Sequence, residues 1–316
     1  MTMISRILVM MSTYNGERYL AEQLQSIYGQ IGVDIHILVR DDGSLDDTIT
    51  ILEQFRKEKG CMTILSDQNL GASYSFYELI RYATEEMPGF QYYAFSDQDD
   101  VWFPDKLESA VKLMERSEGN YQMAYSDWQP TDAALHPINL HQKKEMGSIG
   151  ANIVSNHIAG CTQVFNRALL EKLNIINSQE AKDKLGRPTF YHDSWLSAVS
   201  YALGADIFHD SSARMYYRQH GANVIGAGKE GYINQLLIRI KRYLQRSDHS
   251  KSMKCEYLQL CLWDDVVDEN KFFVDLCANY RKRFVKKLRL LCCRKLYEYG
   301  IEENIGAFFL VLTNKF

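Results

Sequence analysis

Short apolar runs alternate with amphipathic segments over the first hundred residues of this chain. Four runs have the length and the β-branched or aromatic content of buried strands, at residues 7–11, 35–39, 62–65 and 92–95. Segments with apolar positions at 3.6-residue spacing lie between them, at residues 19–27, 49–55 and 73–82. Strands that alternate with helices form parallel βαβ units. The pattern therefore predicts an α/β fold that begins with a Rossmann-like nucleotide-binding half.

The pattern changes along the rest of the chain. It predicts a helix at 107–116, a strand at 123–125 and a loop at 131–149. Beyond residue 228, Lys and Arg surround two apolar stripes at helical spacing, Leu236, Leu237, Ile240, Tyr243 and Leu244, then Phe284, Val285, Leu288, Leu291 and Cys292. We expect two domains, 1–225 and a helical, basic region at 226–316. These helices either pack on the core or contact an anionic membrane surface.

Composition and charge narrow the function classes. The chain has 316 residues, 46% of them hydrophobic, and a net charge of −4, so bulk charge does not indicate nucleic-acid binding. Residues 229–316 hold 17 Lys and Arg against 11 Asp and Glu, a net +6, which leaves −10 for residues 1–228. Seven cysteines without a C-x-x-C pair fit a reducing, cytoplasmic compartment. We find no signal-peptide pattern and no apolar run long enough to span a bilayer.

An acidic motif follows the fourth predicted strand. Residues 96–102 read SDQDDVW, with three carboxylates in four positions. Unpaired charges are costly to bury, so this segment lies beyond the strand end, where open α/β sheets bind ligands. The spacing of Asp97 and Asp99 suits a hard divalent cation, Mg²⁺ or Mn²⁺, that also binds phosphate and water. The alternative is an acidic turn or a helix cap.

The first two predicted strands also end in small and polar residues. Residues 12–17 read STYNGE and residues 41–44 read DDGS. Tyr14 offers a ring on which a base can stack, and Asp42 can accept a hydrogen bond from a base N–H or a ribose hydroxyl. The first turn contains no G-x-G-x-x-G, which argues against a dinucleotide cofactor, and the chain contains no P-loop motif.

Taken together, these motifs resemble inverting glycosyltransferases of family 2, which have the GT-A fold. The resemblance covers residues 4 to about 225 and includes QLQSI at 23–27, Asp46, NLG at 69–71 and PDKL at 104–107. It implies a nucleotide-sugar donor held by Thr13, Tyr14, Asn15, Glu17, Asp42, Ser44, Asn69, Gly71, Asp97 and Arg218. It also implies a divalent cation held by Asp99 and His220, and a general base at Asp193.

The candidate base, the candidate diphosphate and metal ligands, and two tryptophans each allow a second interpretation. Asp193 precedes a helical pattern, where it would otherwise cap the helix. His220, with Arg218, either binds diphosphate oxygens or completes the metal sphere, and the alternative for a lone histidine is a structural residue. Trp102 and Trp128 are candidates for stacking on sugar rings, with core packing as the alternative for Trp102. One carboxylate base without a second, nucleophilic carboxylate implies a single displacement with inversion.

A narrower resemblance concerns the sugar. GCT at 160–162, HD at 192–193, RQHG at 218–221 and Asn223 resemble bacterial rhamnosyltransferases of surface-polysaccharide assembly. This implies a dTDP-L-rhamnose donor, a saccharide or lipid-linked saccharide acceptor, and work at the inner face of the plasma membrane. The alternatives are the same fold with another nucleotide sugar (glucosyl, galactosyl or N-acetylhexosaminyl transfer) and a non-catalytic sugar-nucleotide-binding module. A nucleotidyltransferase would need a Gly-rich loop with Arg and Lys at 12–17, which this chain lacks.

Overall fold

A computed structural model describes residues 4–139, 147–219 and 249–316 of the chain. It contains two compact units. The sheet unit comprises Met1–His141, Ile158–Asn174 and Ala205–Gly226, and the helical unit comprises Gln142–His157, Ile175–Gly204 and Ala227–Phe316. The predicted boundary at 225/226 falls outside the described residues and stays a prediction. The helical unit also takes in two segments from within the predicted first domain.

One mixed sheet forms the centre of the sheet unit. Within the described residues its strands are β1 Ser5–Thr13, β2 Val33–Asp41, β3 Met62–Ser66, β4 Tyr92–Ser96, β5 Val101–Trp102, β6 Gln122–Thr131, β7 Val164–Asn166 and β8 Asp206–Arg218. Their order is β3-β2-β1-β4-β7-β6-β8-β5. The first four are parallel, β7 is antiparallel to both of its neighbours, and β6 pairs in parallel with β8.

The helices of the described residues, in chain order, are α1 Leu20–Tyr28, α2 Thr48–Lys59, α3 Ala72–Glu85, α4 Lys106–Met114, α5 Ile149–Val154, α6 Arg167–Leu173, α7 Gln179–Leu185, α8 His192–Ala202, α9 Ser250–Cys261, α10 Asp268–Asn279, α11 Phe284–Leu291 and α12 Ile301–Leu312. The predicted strands and helices of the first hundred residues, the strand at 123–125 and the helices at 107–116 and 284–292 are confirmed. The helix predicted around Leu236 lies outside the described residues.

The apolar runs are continuous because both faces of the parallel strands are covered. Residues 7–11 of β1 and 37–39 of β2 are completely buried. Leu24 of α1 and Leu52 of α2 belong to the same core cluster. This packing fixes the strands, and therefore fixes where their carboxyl-end loops begin.

The helical unit buries aromatic side chains. Tyr257 of α9 packs edge-on against Phe190 and Trp195, with ring centroids 5.7 and 6.0 Å apart. In contrast, α11 buries Leu290 and leaves Phe284, Val285 and Leu288 exposed. None of the helices in the described residues has both the length and the apolar character that crossing a bilayer requires.

Candidate active site

Three loops meet at the carboxyl-end edge of the sheet. Strand β1 lies between β2 and β4, with Thr13 beside Asp41 and Met11 beside Ser96. The loops after these strands therefore start next to one another. An open α/β sheet binds its ligand at this edge, where the strand order reverses.

Side chains join the loop after β1 to the loop after β2. The Asn15 N–H donates to Ser44 Oγ (2.9 Å), and the Leu45 N–H donates in return to Asn15 Oδ1 (2.9 Å). The Asp47 N–H donates to Glu17 Oε2 (3.0 Å). Asn15 has φ +47°, in the left-handed region that asparagine tolerates. The structure thus brings together Asn15, Glu17 and Ser44, three of the predicted donor-site residues.

The buried carboxylate of Asp41 shapes the second loop. It accepts hydrogen bonds from Thr13 Oγ1 (3.0 Å), the Gly43 N–H (3.1 Å), and both the N–H (2.9 Å) and the hydroxyl (2.6 Å) of Ser44. The Thr13 side chain is itself completely buried. Sequence reasoning missed Asp41, although its place before Gly43 and Ser44 is typical of a side chain that organises a turn.

Asp42 holds a further loop, the one that follows β3. Its buried carboxylate pairs with Arg40 and accepts from the N–H groups of Leu70 and Gly71, both at 2.8 Å. The Gly71 N–H also donates to Asn69 Oδ1 (3.1 Å). Asp42, Asn69 and Gly71, all predicted donor-site residues, are therefore neighbours. The Asp42 carboxylate binds main-chain donors here, and its predicted contact with a base or ribose stays a prediction.

Gln98, in the middle of the acidic motif, clamps the main chain of Tyr14. The Tyr14 N–H donates to Gln98 Oε1 (2.9 Å), and Gln98 Nε2 donates to the Tyr14 carbonyl (3.1 Å). A Cβ on Gly16 would lie only 2.3 Å from Gln98 Oε1, so a glycine leaves room for the clamp. Tyr14 is 47% exposed. The clamp fixes the backbone and leaves the ring available for a ligand.

The three carboxylates of the acidic motif differ in exposure. Asp97 and Asp99 are partly exposed, whereas Asp100 is completely buried. Ligand atoms of Asp97, Asp100 and Cys161 lie within 4.8 Å of one another. Burial, then the charges of Asp97 and Asp99, raise the pKa of Asp100 well above its usual range. Burial, then Asp100, likewise raises the pKa of the Cys161 thiol.

These residues fit a hard divalent cation. Asp100 Oδ2 is buried without a hydrogen-bond partner, and Asp97 supplies a second carboxylate close to it. A thiol with a raised pKa stays protonated and is a poor ligand for Mg²⁺ or Mn²⁺. Of the predicted metal ligands, Asp99 is not among the three clustered residues, and His220 lies outside the described residues.

Lys106 belongs to the PDKL motif at 104–107, to which sequence reasoning assigned no chemical role. Its Nζ is buried without a hydrogen-bond partner, 3.7 Å from the centre of the Trp102 ring. Burial lowers the pKa of Lys106 to about 8, although interactions with Cys161 and Asp100 act in the opposite direction and raise it. Trp102 is 2% exposed, so it packs in the core and cannot stack on a sugar. Trp128 packs on Tyr217, with ring centroids 4.6 Å apart.

Arg218, at the end of β8, supports the acidic motif from the side. Its N–H donates to Asp100 Oδ1 (3.2 Å) and its Nε donates to the Asp99 carbonyl (2.8 Å). The guanidinium is buried, lies over the Tyr19 ring at 4.4 Å and pairs with Glu22 at 2.5 Å. These contacts hold the loop that carries Asp99 and Asp100. The predicted contact between Arg218 and a diphosphate stays a prediction.

In the helical unit, Asp193 lies in the first turn of α8, and the capping position belongs to Tyr191. Its carboxylate accepts from the Ser194 N–H (2.6 Å) and from Asn156 Nδ2 (3.3 Å). Burial raises the pKa of Asp193 to about 6, although the hydrogen bond from the Ser194 N–H and the charge of Lys254 each lower it. His192 beside it is buried, which lowers its pKa to about 3, so its ring is neutral.

Comparison with known proteins identifies the family. The glycosyl transferase family 2 model matches residues 8–173. The dTDP-rhamnosyl transferase RfbG of Shigella flexneri is 32% identical over 242 residues, covering 74% of this chain and 80% of the relative. An uncharacterized glycosyltransferase of Nostoc sp. is 27% identical over 280 residues, covering 82% of this chain and 84% of that protein.

Solved structures with the same fold are also glycosyltransferases. S. aureus TarS 1–349 with UDP-GlcNAc has a TM-score of 0.53 and 15% identity, covering 98% of this chain and 93% of that one. The mannosyltransferase PcManGT of Pyrobaculum calidifontis with GDP-Man and Mn²⁺ has a TM-score of 0.52 and 17% identity, covering 100% of this chain and 89% of that one. The predicted α/β fold of GT-A type is confirmed. The chain belongs to glycosyl transferase family 2.

Proposed function

We propose that this glycosyltransferase moves L-rhamnose from dTDP-L-rhamnose to a saccharide or lipid-linked saccharide, with inversion, in cell-surface polysaccharide synthesis. The observation that carries the proposal is the 32% identity to a dTDP-rhamnosyl transferase over three quarters of the chain. The joined strand-end loops support it, because they present the predicted donor residues at the edge of the sheet where such folds bind nucleotides.

The proposed donor-site residues have different roles, depending on whether their side chains are exposed or buried. Tyr14 presents a half-exposed ring for the thymine base, and Asn15, Glu17 and Ser44 hold the loop around the nucleotide. Thr13, Asp42, Asn69 and Gly71 act through the loop backbone, since their described contacts are internal. We assign Arg218 a positioning role on the acidic loop, and its contact with the diphosphate stays a prediction.

We further propose that Asp97, Asp99 and Asp100, with His220 by resemblance, hold Mg²⁺ or Mn²⁺. When bound, the cation neutralises negative charge on the departing diphosphate. The buried Arg218 keeps the acidic loop in place around these carboxylates, through its hydrogen bonds to Asp100 Oδ1 and the Asp99 carbonyl.

Asp193 is proposed as the base that takes the proton of the acceptor hydroxyl. A pKa of about 6 leaves the carboxylate ionised at neutral pH and makes it a stronger base than an ordinary aspartate. One displacement by the activated hydroxyl inverts the anomeric carbon. We propose a cytoplasmic site of action, which the thiols of the seven cysteines support.

A donor panel tests the proposal. The full chain is incubated with dTDP-L-rhamnose, UDP-glucose, UDP-galactose or UDP-GlcNAc, an acceptor extract and Mg²⁺ or Mn²⁺, and the released nucleoside diphosphate is measured. We expect release from dTDP-L-rhamnose, with an inverted linkage in the product. Release only from a UDP-sugar would favour the alternative donor, and no release from any donor would favour a non-catalytic binding module.

A further inference from the structure

Helices α11 and α12 present apolar side chains to solvent. On α11, Phe284 is 74%, Val285 57% and Leu288 47% exposed. On α12, the exposed apolar residues are Ile301, Ile305, Phe308, Phe309 and Leu312. Single exposed apolar residues are ordinary on a protein surface, but this many on two consecutive helices are not. We call these eight residues the α11–α12 surface.

The exposed residues of α12 recur at helical spacing. Positions 301, 305, 308 and 312 follow the i, i+4, i+7, i+11 pattern of one helix face. Ala307, Leu310 and Val311 are buried on the other side. The helix is therefore apolar on the face that packs and also on a face that water reaches, so the exposed face is suited to a second apolar environment.

The two helices are neighbours. Lys287 Nζ, on α11, donates to the Leu312 carbonyl (2.7 Å) and to Asn314 Oδ1 (3.0 Å), just beyond α12. The carboxyl end of α12 therefore lies against α11, and the exposed residues of both helices belong to adjoining parts of the helical unit.

The chain segment that contains α11 carries charges of one sign only. Residues 281–295 contain eight Lys and Arg and no Asp or Glu. Arg281 pairs with Glu256 and Lys286 with Asp275, whereas Lys282, Arg283, Arg289 and Arg294 are exposed. A region with this much uncompensated positive charge is complementary to a surface of negative charge.

We propose that the α11–α12 surface binds an anionic lipid surface. The apolar residues would enter the headgroup boundary, and the exposed Arg and Lys would contact lipid phosphates; apolar and basic residues combined on one helix are typical of interfacial binding. The charge complementarity favours a membrane over a second copy of this chain, since two copies would bring their positive charges together. The inference goes beyond the proposed function, because it concerns the partner of a surface and not the sugar transferred.

Vesicle flotation of the full chain tests the proposal. Vesicles are made of phosphatidylcholine alone or mixed with phosphatidylglycerol. We expect binding only to the anionic vesicles, and loss of that binding as NaCl rises from about 0.1 M to about 1 M, where the Debye length falls to about 3 Å.

Two double substitutions test whether the α11–α12 surface is the part of the chain that binds the vesicles. Arg283→Glu/Arg289→Glu should weaken binding by on the order of tenfold or more, and Phe284→Ser/Leu288→Ser should also weaken it. Matched controls are Lys57→Glu/Lys59→Glu, exposed on α2, and Phe272→Ser, 58% exposed on α10. Both controls should bind like the unchanged chain. Melting temperature and nucleotide binding of each variant establish that it is folded.

Three results would overturn the proposal: no binding to anionic vesicles at low salt, equal weakening by test and control variants, or a stable dimer in solution that Phe284→Ser/Leu288→Ser dissociates. The last result would assign the surface to a second copy. None of these results bears on the donor panel, so failure here and failure of the proposed function are separable.

Discussion

At the scale of single residues, the surroundings of Asp193 set its chemistry. Burial raises its pKa to about 6 from the 3.8 of an ordinary aspartate. If Asp193 is the base, its protonation removes activity, so kcat/KM should fall about tenfold per pH unit below about pH 6. Initial rates of nucleoside diphosphate release across mildly acidic and neutral pH measure this. An acid limb near pH 4 would instead indicate a different, unperturbed carboxylate.

Asp193→Asn separates catalysis from structure. We expect transfer to fall by about 10²-fold or more with donor affinity unchanged. The folded-state pKa lies above the unfolded one, so the ionised carboxylate costs stability as pH rises through about 6. The amide removes that cost, and the melting temperature at neutral pH should be equal or higher. A lower melting temperature, or equal losses of affinity and rate, would make Asp193 a structural residue.

Asp99→Ala tests the metal assignment. Asp99 is partly exposed at a strand end, so its loss should leave the fold intact and abolish metal-dependent transfer. Release of nucleoside diphosphate during Mn²⁺ titration measures the effect. Asp34→Ala, at the exposed pair with Arg6, is the matched control and should titrate like the unchanged chain. Full turnover of the Asp99 variant in the presence of EDTA would disprove the metal role.

At the scale of elements, β8 and the acidic motif form one assembly through Arg218. Lysine keeps the positive charge at this position but lacks the planar guanidinium group, whose separate N–H donors reach both the Asp99 carbonyl and Glu22. We expect Arg218→Lys to lower the affinity for Mn²⁺ and to lower kcat, while dTDP measured without metal binds as before. Calorimetric titration of each ligand distinguishes the roles, because weaker metal-free dTDP binding would mean that Arg218 contacts the diphosphate after all.

Elements with strong local patterns could be predicted from the sequence, and the others could not. Strand β1 is apolar throughout its buried stretch, whereas β8 reads DIFHDSSARMYYR and is held by its parallel pairing with β6. Strand β7 has only three residues, which are too few to show the alternation of apolar and polar positions that marks a strand. Likewise, strand-end motifs indicated Asp97 and Asp99, but Cys161 approaches Asp100 only through the tertiary fold, and the burial of Lys106 depends on the packed core.

At the scale of the whole molecule, the proposed donor residues fall in the sheet unit and Asp193 in the helical unit. A nucleotide that binds only the folded sheet unit should stabilise it by about 2.7 kcal/mol at 100 times its Kd. We therefore expect dTDP to raise the melting temperature more than UDP or GDP at equal concentration, and any separate transition of the helical unit to stay unchanged. Thermal-shift titration measures this, and stabilisation by GDP alone would remove the rhamnose proposal.

The clamp of Gln98 on the main chain of Tyr14 has a consequence for how such enzymes diversify. The loop is held through the N–H and carbonyl of position 14, and its ring takes no part in that hold. A mutation that replaces the ring therefore changes the side chain that contacts the base, and it leaves the hydrogen bonds that hold the loop intact. Selection for a new donor nucleotide can act on this position in single steps, each from one folded protein to another.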